Sequence, residues 1–432
     1  MPYYPKLQQL LTDVSHWADL RTEQGSQVRA LMARLEKTLE KTGRELSRLR
    51  PTTSQLEKEP NDLRAIRALR PEGPRRLWKR FKKAGLRSRL KGAWLGRAAG
   101  CTLGAPVEGW SPERMERLAR RCNMDFPPRD YWSDHPDPDQ PHYETNVFRD
   151  YLRGYIKSVP VDDDLTYTLL GLLILEEFGP AFTTKDVGTA WLKYLPVACT
   201  AEDVALKNLK AGIPATRTGE KANPFQEWIG ADIRSDPWGY AAPGWPEKAA
   251  EMAYRDAYLS HRQNGIYGAM FFSAAIAAAF ALNDPVQALE VGLTEIPKDC
   301  RLARDVRCAL KLGPRLKDWR AARHAVDEQF AGMHPVHTNN NACLTIFGLM
   351  LGGGDFTRTI GATVAMGLDN DCTAATAGSI LGATIGIENI PEHWWKPFHN
   401  KTRTYINGHE WFRNTEICER FQRMADALWH TR

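Results

Sequence analysis

The chain contains 432 residues, 43% of them hydrophobic and 25% charged, and its formal net charge is +6. This composition is typical of a globular protein that is long enough for one large core or two domains. The eight cysteines form no CxxC pair, which argues against a zinc ribbon and against a disulfide framework.

Neither the first residues nor the longest apolar segment suggests a membrane protein. The first residues, MPYYPKLQQLLTDVSHW, lack the basic and apolar regions of a signal peptide. The longest apolar run, residues 268–282, is too short to cross about 30 Å of hydrocarbon, and we interpret it as a buried helix. We therefore expect a cytoplasmic protein without membrane insertion.

Positive charge is concentrated near the N-terminus. Residues 1–90 contain 21 Lys and Arg against 10 Asp and Glu, which gives +11, and the remainder carries −5. A basic region could meet nucleic acid or an acidic surface. The charge is densest at residues 75–89, where Trp78 and Phe81 are the only interleaved aromatic residues, so we interpret this run as a solvated helix face. Nucleic acid is not expected as a partner.

Residues 6–50 show the first helical pattern. Leucines and valines recur there at three- and four-residue steps, which predicts a helical hairpin or short coiled coil. Such helices could assemble the chain into a homo-oligomer, dock a partner or cap the rest of the chain, and the sequence does not choose among these roles. Pro51 and a polar stretch end the pattern, and the composition changes near residue 85. We predict a basic N-terminal helical extension, residues 1–85, and a second domain, residues 86–432.

The second domain has short apolar helical segments and no run of alternating strand residues. The connecting segments 122–163 and 212–245 are rich in Pro, Gly, Trp and Asp, and loops of that length are usually functional. We predict an all-α, compact multi-helix domain with long loops. Its helices are predicted at 86–104, 165–178, 184–195, 201–211, 246–259, 266–282, 285–295, 300–310, 341–352, 357–366, 372–386 and 415–429.

The stretch GLDNDCTAATAGSILGATIG, residues 367–386, combines two features that rarely occur together. Asp369 and Asp371 stand before a run of small residues, 373–379, that would let a helix pack closely. A core helix would not favour the carboxylates, and a surface loop would not need the small residues. We infer that positive charge lies between the carboxylates.

Two further acidic groups lie beside helical segments. Asp162, Asp163 and Asp164 lead into an amphipathic helix, and Glu108 follows a glycine-spaced one. Helix capping explains single acidic residues, each stabilising by about 0.5–1 kcal/mol, but adjacent like charges repel. Oxygen clusters without a His or Cys pattern suit Mg²⁺, Mn²⁺ or Ca²⁺. Two clusters could together hold a pair of ions.

Three segments together resemble the ADP-ribosylglycohydrolase family over roughly residues 88–390. GAWLGRAAGCTLGAPVEGW resembles the family's opening glycine motif, with Glu108 at its glutamate. VDDDLTYT resembles the [ST]-D-D-[ST] metal motif, and GLDNDCTAATAGSILGATIG resembles the late G-G-D-T-D-T motif. The resemblance implies an all-α hydrolase with two Mg²⁺ (or Mn²⁺) ions that cleaves a glycosidic bond at ribose C1. Its substrate would be a small molecule or an ADP-ribosylated conjugate.

The resemblance also implies which residues hold the metals. Cys372 stands where the family usually has a threonine, and a thiol is a poor ligand for Mg²⁺. Leu165 and Cys101 are further departures from the motifs, so the filling of both metal positions is left open. Carried over by position, the ligands are Asp162 (in place of Thr or Ser), Asp163, Asp164, Asp369, Asp371 and Cys372.

A hydrolytic mechanism follows as a hypothesis. The metals would bind the vicinal hydroxyls of a furanose and hold a water near the anomeric carbon, and Glu108 or Asp164 would take the proton of that water. Surrounding negative charge would favour the oxocarbenium ion.

Two alternatives to this function stay open. The same chemistry could act on another furanoside, such as an arabinofuranoside or a nucleoside, or the chain could be an inactive metal- or ligand-binding homologue, as Cys372 and Leu165 suggest.

Candidate substrate contacts come mainly from segments between the motifs. Aromatic side chains there could stack on sugar and base faces, and polar ones could bond hydroxyls. The structural alternative is packed tryptophans, a hydrogen-bonded histidine and helix-capping amides. The candidates are Glu108, Trp228, Arg234, Asp236, Trp238, His261, Asn264, Gly265, Tyr267, His337 and Asn340.

Overall fold

Helices account for nearly all the regular structure of the computed structural model, which describes residues 3–134, 139 and 148–430. This confirms the prediction of an all-α fold. A single antiparallel pair of strands, β1 (Lys401–Arg403) and β2 (Trp411–Arg413), accompanies the helices of this described part. The helices are α1 (Pro5–Glu23), α2 (Arg29–Arg48), α3 (Thr53–Lys58), α4 (Leu63–Leu69), α5 (Leu86–Gly104), α6 (Pro112–Arg121), α7 (Asp163–Phe178), α8 (Thr184–Tyr194), α9 (Thr200–Lys210), α10 (Asp236–Ala241), α11 (Pro246–Ala257), α12 (Asn264–Ala279), α13 (Pro285–Leu293), α14 (Arg301–Leu312), α15 (Trp319–Gln329), α16 (Thr338–Gly352), α17 (Phe356–Ala365), α18 (Asn370–Ile385) and α19 (Asn414–His430).

Each predicted helical segment of the second domain corresponds to a helix, and α6, α10 and α15 are additional. Helices α6 and α15 begin at a capping residue: Ser111 Oγ accepts from the backbone N–H of Arg114, and Asp318 Oδ1 accepts from that of Ala321. The buried side chains of both recur at helical spacing, for example Trp319, Ala322 and Val326 of α15, so the apolar pattern was present in the sequence and was overlooked.

The core is built around α12 and the pair α5–α18. Every residue of α12 is buried, which confirms the interpretation of the apolar run. On α5, Gly92, Gly96, Gly100 and Gly104 recur every four residues, and a Cβ on any of them would overlap the backbone of α18. The small residues of both helices therefore allow close approach over their length. At Gly104 the neighbouring backbone is that of Asp371.

The N-terminal extension contains two parts with different environments. Helices α1 and α2 contain no buried residue. From Glu59 onward the chain packs on the body: Glu59 is 2% exposed and pairs with Arg301, and Ile66 and Trp78 lie in the core. The boundary near residue 85 stays a prediction, whereas the contacts of the chain change near residue 59.

The structure answers differently for the two segments that were predicted as long loops, 122–163 and 212–245. Much of 122–163 lies outside the described residues, which omit 135–138 and 140–147. Segment 212–245 contains a 3₁₀ helix, Ile229–Arg234, followed by α10, and both are buried. About half of this segment is therefore part of the packed core.

None of the helices in the described ranges combines the length and the apolar character needed to span a bilayer.

Candidate metal centre

The turn before α18 sets the position of the late aspartates. Gly367 and Leu368 both adopt left-handed backbone conformations, with φ of 71° and 63°. For leucine this conformation costs about 1 kcal/mol or more, so the surrounding contacts must enforce it. One of them is the N–H of Gly109, which donates to the carbonyl of Leu368 at 3.0 Å. This bond holds the Glu108 loop beside Asp369.

A second contact ties the same turn to α16. The N–H of Asp369 donates to Asn341 Oδ1 at 3.3 Å, and the Asn341 amide in turn bonds the carbonyls of Pro335 and His337. The start of α18 is thus fixed from two sides.

Helix α7 presents the other aspartates at its first turn. Asp162 caps the helix, and its Oδ1 accepts from the N–H of Asp164 at 3.0 Å. Asp163 and Asp164 follow inside the first turn, and Asp164 is fully buried. A helix N-terminus favours one negative charge, but three adjacent carboxylates exceed what that effect can balance.

The fold brings the three acidic segments together. Ligand atoms lie within 4.8 Å of one another in three groups, and Asp371 and Asp164 each belong to two of them. One continuous cluster therefore joins the Glu108 loop with the first turns of α7 and α18. The groups are Glu108, Asp369 and Asp371; Asp164, Asp371 and Cys372; and Asp162, Asp163 and Asp164.

Two carboxylates of this cluster have free oxygens. Asp369 is 5% and Asp371 4% exposed, and Oδ1 of each has no hydrogen-bond partner among the residues that the structure describes. A buried, unbonded carboxylate oxygen is costly unless a cation or proton compensates it. Oxygen donors in such a setting fit a divalent cation.

Burial and mutual repulsion also change the acidity of the cluster. Burial, reinforced by the charges of Asp369 and Glu108, raises the pKa of Asp371 well above its ordinary value. Glu108 keeps an exposed surface, but its carboxyl is largely desolvated. That desolvation, with the charges of Asp369 and Asp163, raises its pKa to about 7. Burial raises the pKa of Asp164 to about 8, although Arg97 opposes the shift. The cluster therefore contains more negative charge than its neighbouring positive charge compensates.

Arg97 supplies one positive charge that the sequence reasoning missed. Its Nη2 lies 2.9 Å from Asp164 Oδ1 and its Nη1 lies 2.7 Å from Asp236 Oδ2. The other oxygen of Asp164, Oδ2, is 3.0 Å from Cys372 Sγ. The sequence did contain a sign of this role. Arg97 lies among the small residues of α5, where close helix packing buries the side chain.

Asp232 is a second acidic residue that was missed. It is 3% exposed, and its Oδ1 has no partner within the described ranges. Burial and the charge of Asp236 raise its pKa well above the ordinary value, and Asp164 and Asp369 contribute. It extends the negative region towards the 3₁₀ helix. A lone aspartate in GADIR gives no sequence signal.

The structure does not support substrate contact by Arg234, Asp236 and Trp238, because each is at most 2% exposed and has partners within the protein. Arg234 pairs with Glu202 and with Asp256. Asp236 pairs with Arg97, and Trp238 packs on the ring of Phe182 at 4.8 Å. These three side chains stabilise the core behind the cluster.

The candidates from the start of α12 also have structural partners. His261 is fully buried, and its Nδ1 lies 2.8 Å from Ser260 Oγ. Burial, with the nearby arginines, lowers its pKa well below the ordinary value, so it is neutral. Asn264 donates to Glu59 and Glu227, and Tyr267 donates to the Pro60 carbonyl at 2.5 Å. A Cβ on Gly265 would overlap the Gln226 carbonyl. This group attaches residues 59–60 to the body.

Trp228, His337 and Asn340 lie at cavities and stay predicted substrate contacts. The rings of Trp228 and His334 stack with 4.0 Å between their centroids, and His337 Nδ1 accepts from the N–H of Asn339. Trp228 and His337 line a cavity of about 470 Å³. Asn340 lines another, of about 510 Å³, with Leu368, the residue before Asp369.

Comparison with known proteins identifies the family of the chain. The family model described as ADP-ribosylglycohydrolase matches residues 82–432. A solved structure described as an "ADP-ribosylglycohydrolase-related protein complex" is 20% identical, with a TM-score of 0.53 over 79% of this chain and 99% of that chain. This likeness shows that the two share a fold. No curated protein sequence matches the chain.

The family match spans most of the chain and includes every acidic segment of the cluster. The chain therefore belongs to the ADP-ribosylglycohydrolase family and is a hydrolase of glycosidic bonds.

Proposed function

We propose that this hydrolase is metal-dependent and cleaves the glycosidic bond at C1 of ADP-ribose conjugates or of a related ribosyl compound. The observation that carries the proposal is the pair of buried, unpartnered oxygens of Asp369 and Asp371 within a continuous carboxylate cluster. Buried carboxylates without a counter-charge are expected where a cation binds.

The donor set suits two Mg²⁺ or Mn²⁺ ions, with Ca²⁺ as a further fit. Glu108, Asp369 and Asp371 would hold one position, and the α7 aspartates with Asp371 and Cys372 would hold the other. Divalent cations there would supply positive charge that binds the vicinal hydroxyls of a furanose and lowers the pKa of a water molecule.

Among the chain's own groups, Glu108 is the better candidate for the general base. Both oxygens of Asp164 are engaged, one by Arg97 and the other by Cys372. Glu108 keeps an exposed surface at the edge of the cluster, where a water molecule can reach it. Its carboxylate would take the proton of the attacking water. The remaining negative charge of the cluster favours an oxocarbenium-like transition state.

The experiment is a hydrolysis panel with metal-free protein, with and without added Mg²⁺. ADP-ribosylated peptides, free ADP-ribosyl compounds, nucleosides and arabinofuranosides are compared. We expect Mg²⁺-dependent cleavage of ribosyl conjugates. Cleavage confined to arabinofuranosides or nucleosides would favour the other furanoside activity, and full turnover by Asp369→Asn would refute the metal-dependent mechanism.

We also propose that α1 and α2 join copies of the chain. On α2 the side chains of Leu39 and Leu46 are 41% and 61% exposed, and on α1 Trp17 is 57% exposed. Apolar side chains at helical spacing are typical of a surface that packs against other helices. Light scattering should give a mass above one chain, and the double variant Leu39→Glu, Leu46→Glu should lower it. A monomeric native protein would contradict this.

The compartment we propose is the cytoplasm. All eight cysteines are free, and Cys199 and Cys308 are exposed, which suits a reducing environment. Fractionation of cells that express the intact chain tests this.

A further inference from the structure

Cys372 makes one part of the cluster chemically different from the rest. It follows Asp371 in the first turn of α18, and it is 6% exposed. Its Sγ belongs to a group with Asp164 and Asp371 whose ligand atoms lie within 4.8 Å of one another. The thiol therefore lies where a cation ligand would lie, and the acidic groups around it supply the remaining donors.

The neighbouring group contains oxygen donors alone. Glu108, Asp369 and Asp371 each offer a carboxylate oxygen. Because Asp371 belongs to both groups, the two positions share one side chain but differ in their other two donors. Mg²⁺ and Ca²⁺ require oxygen ligands, whereas thiolate ligands favour Zn²⁺ and other softer transition-metal ions.

The environment of Asp164 orients one of its oxygens towards Cys372. Arg97 holds Oδ1 of Asp164 at 2.9 Å, so that Oδ2 faces Cys372 Sγ at 3.0 Å. In this arrangement the thiol donates to the carboxylate. The independent sign of a missing ligand is Asp371 Oδ1, which is buried and has no partner in the described part of the chain.

We propose that Asp164, Asp371 and Cys372 form a mixed oxygen–sulfur position that takes a thiophilic divalent cation, such as Zn²⁺, Co²⁺ or Fe²⁺, in preference to Mg²⁺. Glu108, Asp369 and Asp371 form the position for Mg²⁺ or Mn²⁺. When the thiophilic cation binds, the Cys372 thiol releases its proton to solvent and the sulfur forms the bond to the metal. The inference rests on the proposed function, since it names the metals of the same site.

The test is a Co²⁺ titration of the full-length, metal-free protein without oxygen and with a non-thiol reductant. We expect a thiolate-to-cobalt charge-transfer band in the near ultraviolet that saturates at one equivalent per chain. Added Mg²⁺ should displace Co²⁺ from the oxygen position and leave this band. Calorimetry in parallel counts the bound ions.

Cys372→Ser should lose the band and bind Zn²⁺ about 100-fold more weakly. The matched control is Cys300→Ser, because Cys300 is also buried and caps α14 by accepting from the N–H of Ala303. Serine can make the same cap, so the control should keep both the fold and the band. Circular dichroism checks that both variants are folded.

The outcomes separate the two proposals. Calorimetric Co²⁺ binding by the wild-type protein without a charge-transfer band overturns the mixed position and leaves the metal-dependent hydrolase standing. A band that persists in Cys372→Ser also overturns it. If neither Co²⁺ nor Mg²⁺ binds at all, both proposals fail.

Discussion

Two groups of buried carboxylates in this molecule differ in where their positive charge comes from. Around Arg234, both Glu202 and Asp256 pair directly with the guanidinium, and all three residues are at most 3% exposed. In the carboxylate cluster, Asp369 and Asp371 are equally buried, yet each keeps an oxygen without a partner in the described residues. The first group has its counter-charge within the chain, whereas these two oxygens have none among the described residues, and we propose that a cation binds there.

The difference shows how a buried acidic group can be classified. Removing either partner of a complete buried pair leaves an uncompensated charge. Removing one charge from an incomplete cluster relieves repulsion. Removing a charged group should therefore lower stability in the first group but not in the metal-free cluster, and this contrast can be measured.

The largest effect is expected at Arg234. Arg234→Met leaves Glu202 and Asp256 buried without their counter-charge, and it should lower the free energy of unfolding by about 3–5 kcal/mol. Denaturant unfolding of the intact protein measures this. The control is Arg320→Met, because the Arg320–Glu116 pair is exposed and should contribute less than about 1 kcal/mol. Equal losses in the two variants would remove the distinction.

The next effect concerns the incomplete cluster. Asp371→Asn should lower Mg²⁺-dependent turnover by at least about 100-fold, because it removes a donor shared by both cation positions. The metal-free variant should nevertheless unfold at the same or a higher temperature than the metal-free wild type. Asp318→Asn is the matched control, since asparagine preserves that exposed helix cap. A less stable metal-free Asp371→Asn would place Asp371 in a complete network.

Added metal should stabilise the wild-type protein by linkage. At a Mg²⁺ concentration of 100 times Kd, binding to the folded state raises the free energy of unfolding by about 2.7 kcal/mol. Thermal unfolding with and without Mg²⁺ measures it. Asp369→Asn should lose most of the gain, and the Arg320→Met control should keep it. A wild-type melting temperature insensitive to every divalent cation would contradict metal binding.

The smallest effect is the pH dependence of the metal-free protein. Burial raises the pKa of Glu108 to about 7 and that of Asp164 to about 8. At pH values between the ordinary carboxyl pKa and these raised pKa values, the folded protein therefore binds more protons than the unfolded chain. This contribution is fully present below the unfolded pKa values and is lost as pH rises through 7 and 8. Stability should fall with rising pH across that window. Saturating Mg²⁺ should reduce the fall, and a profile unchanged by Mg²⁺ would argue against the cluster as its source.

Sequence patterns predicted the helices that carry the site, and the motifs predicted which carboxylates meet. The small residues of α5 and α18 indicated close packing, which the glycines at four-residue intervals confirm. Asp164 and Cys372 are 208 positions apart and lie in contact. Periodicity cannot show such a contact, and it was the family resemblance of the two motifs that predicted it.

The remaining errors come from burial, which composition does not reveal. Arg234, Asp236 and Trp238 lie in a segment whose aromatic and polar residues suit a substrate wall as well as a core with internal ion pairs. Their charged partners show that the segment belongs to the core. These partners come from helices that are distant in sequence: Glu202, Asp256 and Arg97. Arg97 was overlooked for the same reason.

Anomalous diffraction from crystals of the metal-free protein soaked in Mn²⁺ tests the central claim most directly. We predict a strong anomalous peak between the carboxylates of Glu108, Asp369 and Asp371, lost in crystals of Asp371→Asn. A wild-type crystal that hydrolyses substrate in Mn²⁺ but shows no peak at this cluster would contradict the assignment of these residues as a metal centre.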